Sequence, residues 1–195
     1  MSNAERHKWD ERYRAGDHAS ETPDPLLQRL LDRSLPLPQG RAALDVACGA
    51  GRNSVWLAEQ GWDVFGCDVS LEGLRVAAQL ARTRGVTLKL FCADLDTLSL
   101  PRERFDLIVV FFYLQRSLFE VFQSALRPGG LLIYRTYVAD LAAPEGVLLA
   151  GGDNPAHVLQ PGELAAAFAG FRILHENKKV GSRAIADFIA QKARA

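Results

Sequence analysis

The sequence predicts an α/β protein built on one open, mostly parallel sheet, and three observations carry that prediction. Short β-rich runs alternate with helical patterns along the chain, as βαβ units do. The first run, "AALDVAC", leads through a glycine-bearing turn into a helical pattern, "RNSVWLAEQ". Near the C-terminus, "FRILHENKKV" and "SRAIADFIAQ" are separated by only a few residues around Gly181. So short a link holds no crossover helix, and the last strand therefore enters antiparallel.

In chain order, residues 1–39 read as an N-terminal helical extension or cap and residues 40–195 as the main domain. "SNAERHKWDERYR" is a helix in which Ser2 and Glu5 suit a capping box and Trp9 and Tyr13 lie one turn apart on one face. "PDPLLQRLLDRSL" is a second, amphipathic helix opened by Pro23 and Pro25, and "PLPQG" is a linker. The strands that follow are "AALDVAC", "WDVFGCD", "VTLKLFCAD", "FDLIVVFFY", "GGLLIYRTY" and the two C-terminal runs. Between the first five lie "RNSVWLAEQ", "LEGLRVAAQLARTR", a shorter stretch after Asp94, and "SLFEVFQSAL". The last of these has a Ser117–Glu120 capping box and is stopped by Pro128-Gly129-Gly130. The long irregular stretch from Val138 to Gly162 reads as a lid, because connections of that length in compact domains are more often functional than filler.

Composition excludes several function classes. With 23 basic and 23 acidic side chains the field has no strong sign, and no basic run marks a nucleic-acid binder. Cys48, Cys67 and Cys92 form no C-x-x-C pair, so neither a metal site nor a redox pair is indicated, and reduced thiols fit a cytoplasmic protein. The apolar run Leu107 to Leu114 is far shorter than the ~20 residues of a membrane span. The N-terminus lacks the apolar stretch of a signal peptide. A small-molecule substrate, no membrane and a monomer or homodimer are the expected partners.

The turn in "ALDVACGAGRN" is the informative one. In open α/β sheets, ligands bind beyond the carboxyl ends of the strands, where strand order reverses. Gly49 and Gly51 let backbone approach a ligand closely. Read as Gly49-x-Gly51-x-x-Ser54 with Asp68 downstream, the turn is a degraded dinucleotide fingerprint. Against that stands Asp45, a carboxylate badly placed beside a pyrophosphate and well placed beside a cationic amine.

"LDVACGAGRNSVWLAEQGWDVFGCDVS" resembles motifs I and II of the class I S-adenosylmethionine (SAM)-dependent methyltransferases. Asp68, Cys92-Ala93-Asp94 and "LRPGGLLIYRTY" extend the resemblance over roughly residues 40 to 191. It implies a Rossmann-like, seven-stranded sheet in the order 3-2-1-4-5-7-6 with helices on both faces, and SAM as cofactor. It further implies that Asp45 holds the amino-acid end of SAM while backbone at Ala47, Gly49 and Gly51 packs against it. Asp68 would accept from the ribose hydroxyls, with Val69 beside it, and Asp94 from the adenine amine, with Leu95 near the ring. Phe111 would border the methionine portion. Ala47 departs from the family, which usually has glycine there. Each role has a plainer counterpart: Asp68 as a strand-end acid, Asp94 as a helix N-cap, Phe111 as core.

"CGxGRN", with Arg52 and Asn53, and the upstream "WDERY" resemble the tellurite-resistance and thiopurine-type small-molecule methyltransferases. Trp9 and Tyr13 would then sit on a helix closing over cofactor or substrate, or merely docked on the sheet. Methyl transfer needs positioning and exclusion of water more than acid–base groups, so the lack of a catalytic dyad is no objection. A soft S, Se or Te nucleophile needs no base, and for other acceptors His157 is the first candidate, His175 reading as structural. Tyr113, Gln115, Arg116, Arg135 and Tyr137 are the candidate substrate contacts. Arg116 and Arg135 converging on the cleft would favour a small acid, unless Arg116 pairs with Glu120. A non-catalytic SAM sensor and, further off, an NAD(P)-dependent oxidoreductase are the alternative functions.

Overall fold

The computed structural model describes residues 3–17, 20–29, 35–139, 157–179 and 184–194. Seven strands form one sheet in the order β3-β2-β1-β4-β5-β7-β6. In chain order the elements are α1 (Asn3–Arg14), α2 (Pro25–Gln28), β1 (Ala42–Val46), α3 (Arg52–Glu59), β2 (Asp63–Asp68), α4 (Leu71–Thr83) and β3 (Lys89–Cys92). There follow β4 (Phe105–Phe111), α5 (Leu118–Ala125), β5 (Leu126–Tyr137), α6 (Glu163–Ala167), β6 (Phe171–Lys179) and β7 (Ile185–Lys192). β1 to β5 run parallel, and β7 enters antiparallel between β5 and β6. Strand order reverses between β1 and β4, which puts the ligand crevice of such sheets at their carboxyl ends.

Alternation along the central strands divides the core into two layers. Leu44, Val46, Ile108, Val110, Leu132 and Tyr134 pack on one face with α5 and α6. Ala43, Leu107, Val109, Leu131 and Ile133 pack on the other with Leu57 of α3 and with Leu26 and Leu27 of α2. Because both faces are covered, β4 is buried at every position and reads in sequence as unbroken apolar residues. Segment 1–39 is therefore more than an appendage, since Leu26 and Leu27 are core residues.

Local chemistry explains the helix starts and corrects three expectations. Ser70 caps α4 by accepting from the Gly73 N–H at 3.0 Å, and Asp24 caps α2 ahead of Pro25 by accepting from Leu26 N–H at 2.9 Å. Ser117, in contrast, has helical φ/ψ of −61° and −18° and makes no cap bond, so the Ser117–Glu120 box does not form. α5 ends at Ala125, ahead of Pro128-Gly129-Gly130, because Leu126 already pairs with Phe105 at the start of β5. The stretch after Asp94 is a turn and not a helix: the Asp94 carboxylate accepts from Asp96 N–H at 2.9 Å, a local bond that competes with helix formation. α2 is a single turn, and the continuation to Leu35 expected from sequence falls mostly on residues 30–34, outside the described residues. The Ser2 cap, the Gly181 link and most of the Val138–Gly162 stretch also lie outside them.

Candidate active site

The site begins where β1 runs out. Past Val46 the chain turns through Ala47 (φ 54°), Gly49 (φ 54°) and Gly51 (φ 81°), three left-handed residues in five positions. The turn is closed by Cys48 N–H donating to Cys67 O at 3.0 Å and Gly51 N–H donating to Cys48 O at 2.9 Å. A β-carbon on Gly51 would lie 2.6 Å from that of Ala77, so glycine is required for α4 to pack this close. Ala47 adopts the same conformation with a side chain, at roughly 1–2 kcal/mol of strain.

Two carboxylates lie under this turn. Asp45 is buried and accepts the Ser54 hydroxyl at 2.6 Å. Burial lifts its carboxyl to about 7; the Ser54 bond and Arg52 pull it down while Asp68 pushes it up. Asp68, at the end of β2, accepts from Gly49 N–H and Ser70 N–H, both at 2.8 Å. Burial raises its carboxyl too, against the pull of backbone donors at Ser70, Gly49 and Val69. Each Asp68 oxygen keeps a lone pair for a further donor, which suits a diol. Burial and the neighbouring acids raise the Cys48 and Cys67 thiols, which stay neutral.

α1 covers the turn from outside. Asp10 accepts from the Ser70 hydroxyl at 2.6 Å and from Glu72 N–H at 3.1 Å, tying α1 to the start of α4. Burial pushes its carboxyl up, but the Ser70 and Glu72 bonds, with Arg14 and His7 nearby, hold it below its ordinary value. Trp9 and Tyr13 stack at 6.1 Å. The Tyr13 hydroxyl lies so close to Gly49 that a β-carbon there would collide with it, and one on Gly73 would come within 2.8 Å of the Tyr13 ring. Burial, then Asp68 and Cys48, raise the Tyr13 phenol, placing it beside the carboxylates.

The other expected residues divide into those at the cleft and those held elsewhere. Asp94 accepts from Asp96 at the end of β3; Val69 is buried and its carbonyl accepts the Cys92 thiol at 3.3 Å; Leu95 is fully buried. Phe111 lies in the core layer with Leu26 and Leu27. Tyr113 is half-buried, and burial, then Asp96 and Glu5, raise its phenol. Asn53 is buried, its side-chain oxygen taken by Asp24 N–H at 2.8 Å.

Arg135 does not face the cleft. Its guanidinium donates twice to Asp187, at 2.6 and 2.7 Å, and once to Asp24, all three side chains being buried. Arg116 pairs with Glu163, not Glu120, through both Nε and Nη2, and also donates to Val158 O at 3.0 Å. The anion-binding pair of arginines is thus absent, because each already has carboxylate partners. His157 is exposed. His175 lies on the outer strand β6 with Arg29 Nη1 3.1 and 3.2 Å from its ring nitrogens, and burial and Arg29 lower its basicity.

Sequence reasoning missed Asp10 as the tie of α1, Ser54 as the partner of Asp45, and Phe112. Phe112 follows β4 with φ 55° and is 38% exposed, its ring tilted against Tyr137 at 5.4 Å. Only the "WDERY" pattern hinted at Asp10. An aromatic at the end of an apolar run carries no signal at all.

The sheet order, the left-handed turn after β1 and the two carboxylates beneath it are similar to those of the class I SAM-dependent methyltransferases. The particular family match spans residues 43–130 and is to the methyltransferase domain. A ubiquinone biosynthesis O-methyltransferase of Coxiella burnetii is 27% identical over 168 residues, covering 77% of this chain and 71% of the relative. A tRNA 5-carboxymethoxyuridine methyltransferase of Escherichia coli is 34% identical over 124 residues, 58% of this chain and 48% of the relative. Among solved structures, TehB from Haemophilus influenzae superposes with a TM-score of 0.72 at 16% identity, covering 94% of this chain and 67% of that one. The cofactor is SAM, and the chain is an enzyme. Among the described residues, no helix is long and apolar enough to cross a membrane.

Proposed function

We propose that the enzyme methylates a nucleophilic atom of a small molecule, and that Asp45, Asp68 and Asp94 hold the cofactor. The observation that carries this reading is the pair of buried carboxylates, Asp45 and Asp68, beneath the Ala47–Gly51 turn. Asp45 takes the cofactor's ammonium, a role matched to a carboxyl poised near neutrality in a dry site. Backbone at Ala47, Gly49 and Gly51 lies along the methionine portion, Asp68 receives the ribose hydroxyls and Asp94 the adenine amine, with Val69 and Leu95 beside the ring. SAM supplies a methyl group already activated by a sulfonium. What remains for the protein is to orient the acceptor in line with that methyl and to exclude water, which Tyr13 and α1 are placed to do.

Oxygen is the favoured acceptor atom over sulfur, selenium or tellurium, in keeping with the Coxiella relative, an O-methyltransferase by name. An acidic acceptor is not favoured, because Arg116 and Arg135 are neutralised. A tRNA substrate is not favoured by a chain whose 23 basic and 23 acidic side chains balance and form no basic run.

A thermal-shift series tests the cofactor assignment. SAM and S-adenosylhomocysteine raise the melting temperature of the wild type, NAD does not, and Asp68→Ala loses the response, since a ligand of the native state raises apparent stability. Stabilisation by NAD alone would overturn it. Transfer of labelled methyl to small acceptors, with none to bulk tRNA, tests the substrate size.

A further inference from the structure

We propose that Phe112, paired with Tyr137, forms the acceptor wall of the cleft and selects a flat, uncharged aromatic acceptor; this rests on the methyl-transfer reading above. Phe112 combines two features that folding alone disfavours. A bulky side chain holds a left-handed conformation at φ 55°, and its ring is 38% exposed where an apolar side chain is normally covered. The conformation is fixed by Phe112 N–H donating to Arg135 O at 2.7 Å, across the ends of β4 and β5. Without that turn, alternation would point the next side chain away from Phe111 and into the opposite layer. With it, the ring lies on Tyr137 at 5.4 Å and 49°, an open aromatic corner beside the reversal in strand order.

The charges around this corner narrow the acceptor class. The cation nearest in sequence to Tyr137, Arg135, is turned into the protein and matched by Asp24 and Asp187. Arg116, beyond Tyr113, is matched by Glu163. Among the described residues, an anionic acceptor therefore meets no guanidinium at this wall that lacks a carboxylate partner. The carboxylates Asp68 and Asp94 lie at the ends of β2 and β3, on the side of the sheet assigned to the cofactor. What the end of β4 offers is the exposed Phe112 ring lying on Tyr137, which favours an offset or edge-on aromatic partner.

The test uses wild type, Phe112→Ala and Phe112→Gly, with catechol and 2-naphthol as uncharged aromatic probes, ethanolamine as a cation and selenite as an anion. Binding of S-adenosylhomocysteine is measured by calorimetry, methyl transfer by labelled SAM. The expected result is transfer to the aromatic probes, the phenol oxygen taking the methyl as the methyl–sulfur bond breaks, S-adenosylhomocysteine leaving and the phenol proton passing to water, with KM raised about tenfold in both variants and cofactor affinity unchanged. Phe112→Gly melts above Phe112→Ala, because only glycine relieves the left-handed backbone, yet both lose the acceptor equally. KM unaffected in both variants, or cofactor binding without transfer to either aromatic probe, overturns the proposal. Wild type that fails to bind S-adenosylhomocysteine at all counts instead against the cofactor assignment.

Discussion

Replacing Arg135 by Met separates a structural arginine from a substrate-binding one. In the wild type its guanidinium is held between Asp187 and Asp24, whose side chains are 0% and 4% exposed. The methionine fills most of the volume but leaves two buried carboxylates facing one another, with only Lys179, 3.3 Å from Asp187, in partial compensation. Breaking a buried ion pair from one side removes roughly 3–5 kcal/mol. Against the about 5–15 kcal/mol by which folded proteins are stable, that is a large fraction. At ~2–4 °C per kcal/mol the melting temperature falls by about 6–20 °C. The sign with pH follows from Asp187. Burial pushes its carboxyl up, but the bonds and charge of Arg135, helped by Lys179, hold it below its ordinary value. The wild-type pair therefore stabilises the fold above the ordinary carboxylate range and is lost as pH falls through the depressed value. In Arg135→Met the burial of Asp187 is opposed only by Lys179 and lifts its carboxyl above the ordinary value, so the variant regains stability as pH falls through that raised value, and the gap to wild type is widest near pH 7.5 and narrows toward pH 4.5. Differential scanning fluorimetry across that range, with chemical unfolding followed by circular dichroism, reads both quantities. A variant that melts within 2 °C of wild type while losing turnover of acidic acceptors alone would refute the reasoning.

Other perturbations probe the site itself. Asp45, lifted to about 7 from 3.8, makes the cofactor-free fold less stable as pH rises from roughly 4 to 7. Asp45→Asn is accordingly the more stable protein at pH 8 but not at pH 4. Cofactor binding to wild type near pH 7 releases a proton, measured by calorimetry in buffers of different ionisation enthalpy; no proton transfer would remove Asp45 from the ammonium site. Ala47→Gly exchanges about 1–2 kcal/mol of left-handed strain for about 0.5–1 kcal/mol of extra unfolded-chain entropy. Its melting temperature is equal to or slightly above wild type, and a drop would mean that the Ala47 methyl makes contacts outweighing the strain. Asp10→Ala cuts the tie to Ser70 and Glu72, so amides of α1 exchange faster with deuterium while those of β4 do not. The Asp10 carboxyl is held low, so the wild-type tie persists above the ordinary carboxylate range and opens only as pH falls through the depressed value.

How much of this was legible in the sequence depended on the distance between partners. The strands and their order followed from alternation, from the short final link and from the family resemblance, because each strand advertises itself in four to twelve consecutive residues. Asp45, Gly49 and Gly51 were equally plain, lying within one turn. Arg135 was misread because its partners are 52 and 111 positions away and nothing in "YRTY" records them. Arg116 was drawn to Glu120 by proximity along the chain, while the fold supplied Glu163, 47 positions on. The Ser117 capping box had the right letters but not the extended backbone a cap requires. Tyr13 over Gly49 needed both ends of a long connection to be placed first.

The order β5-β7-β6 has a bearing on how the chain is made. β6 leaves the ribosome before β7, yet among the described strands β7 is its only neighbour in the sheet. Until β7 is synthesised, β6 has nowhere to pair, and its backbone donors and acceptors stand available to any other nascent chain. Its side chains suit that interval: Arg172, Glu176, Asn177, Lys178 and Lys179 are exposed in the finished protein and discourage a second copy from adding to the edge. β7, apolar from Phe188 to Ala190 and destined for two neighbours, is the strand that arrives last among those described and closes the sheet as it docks.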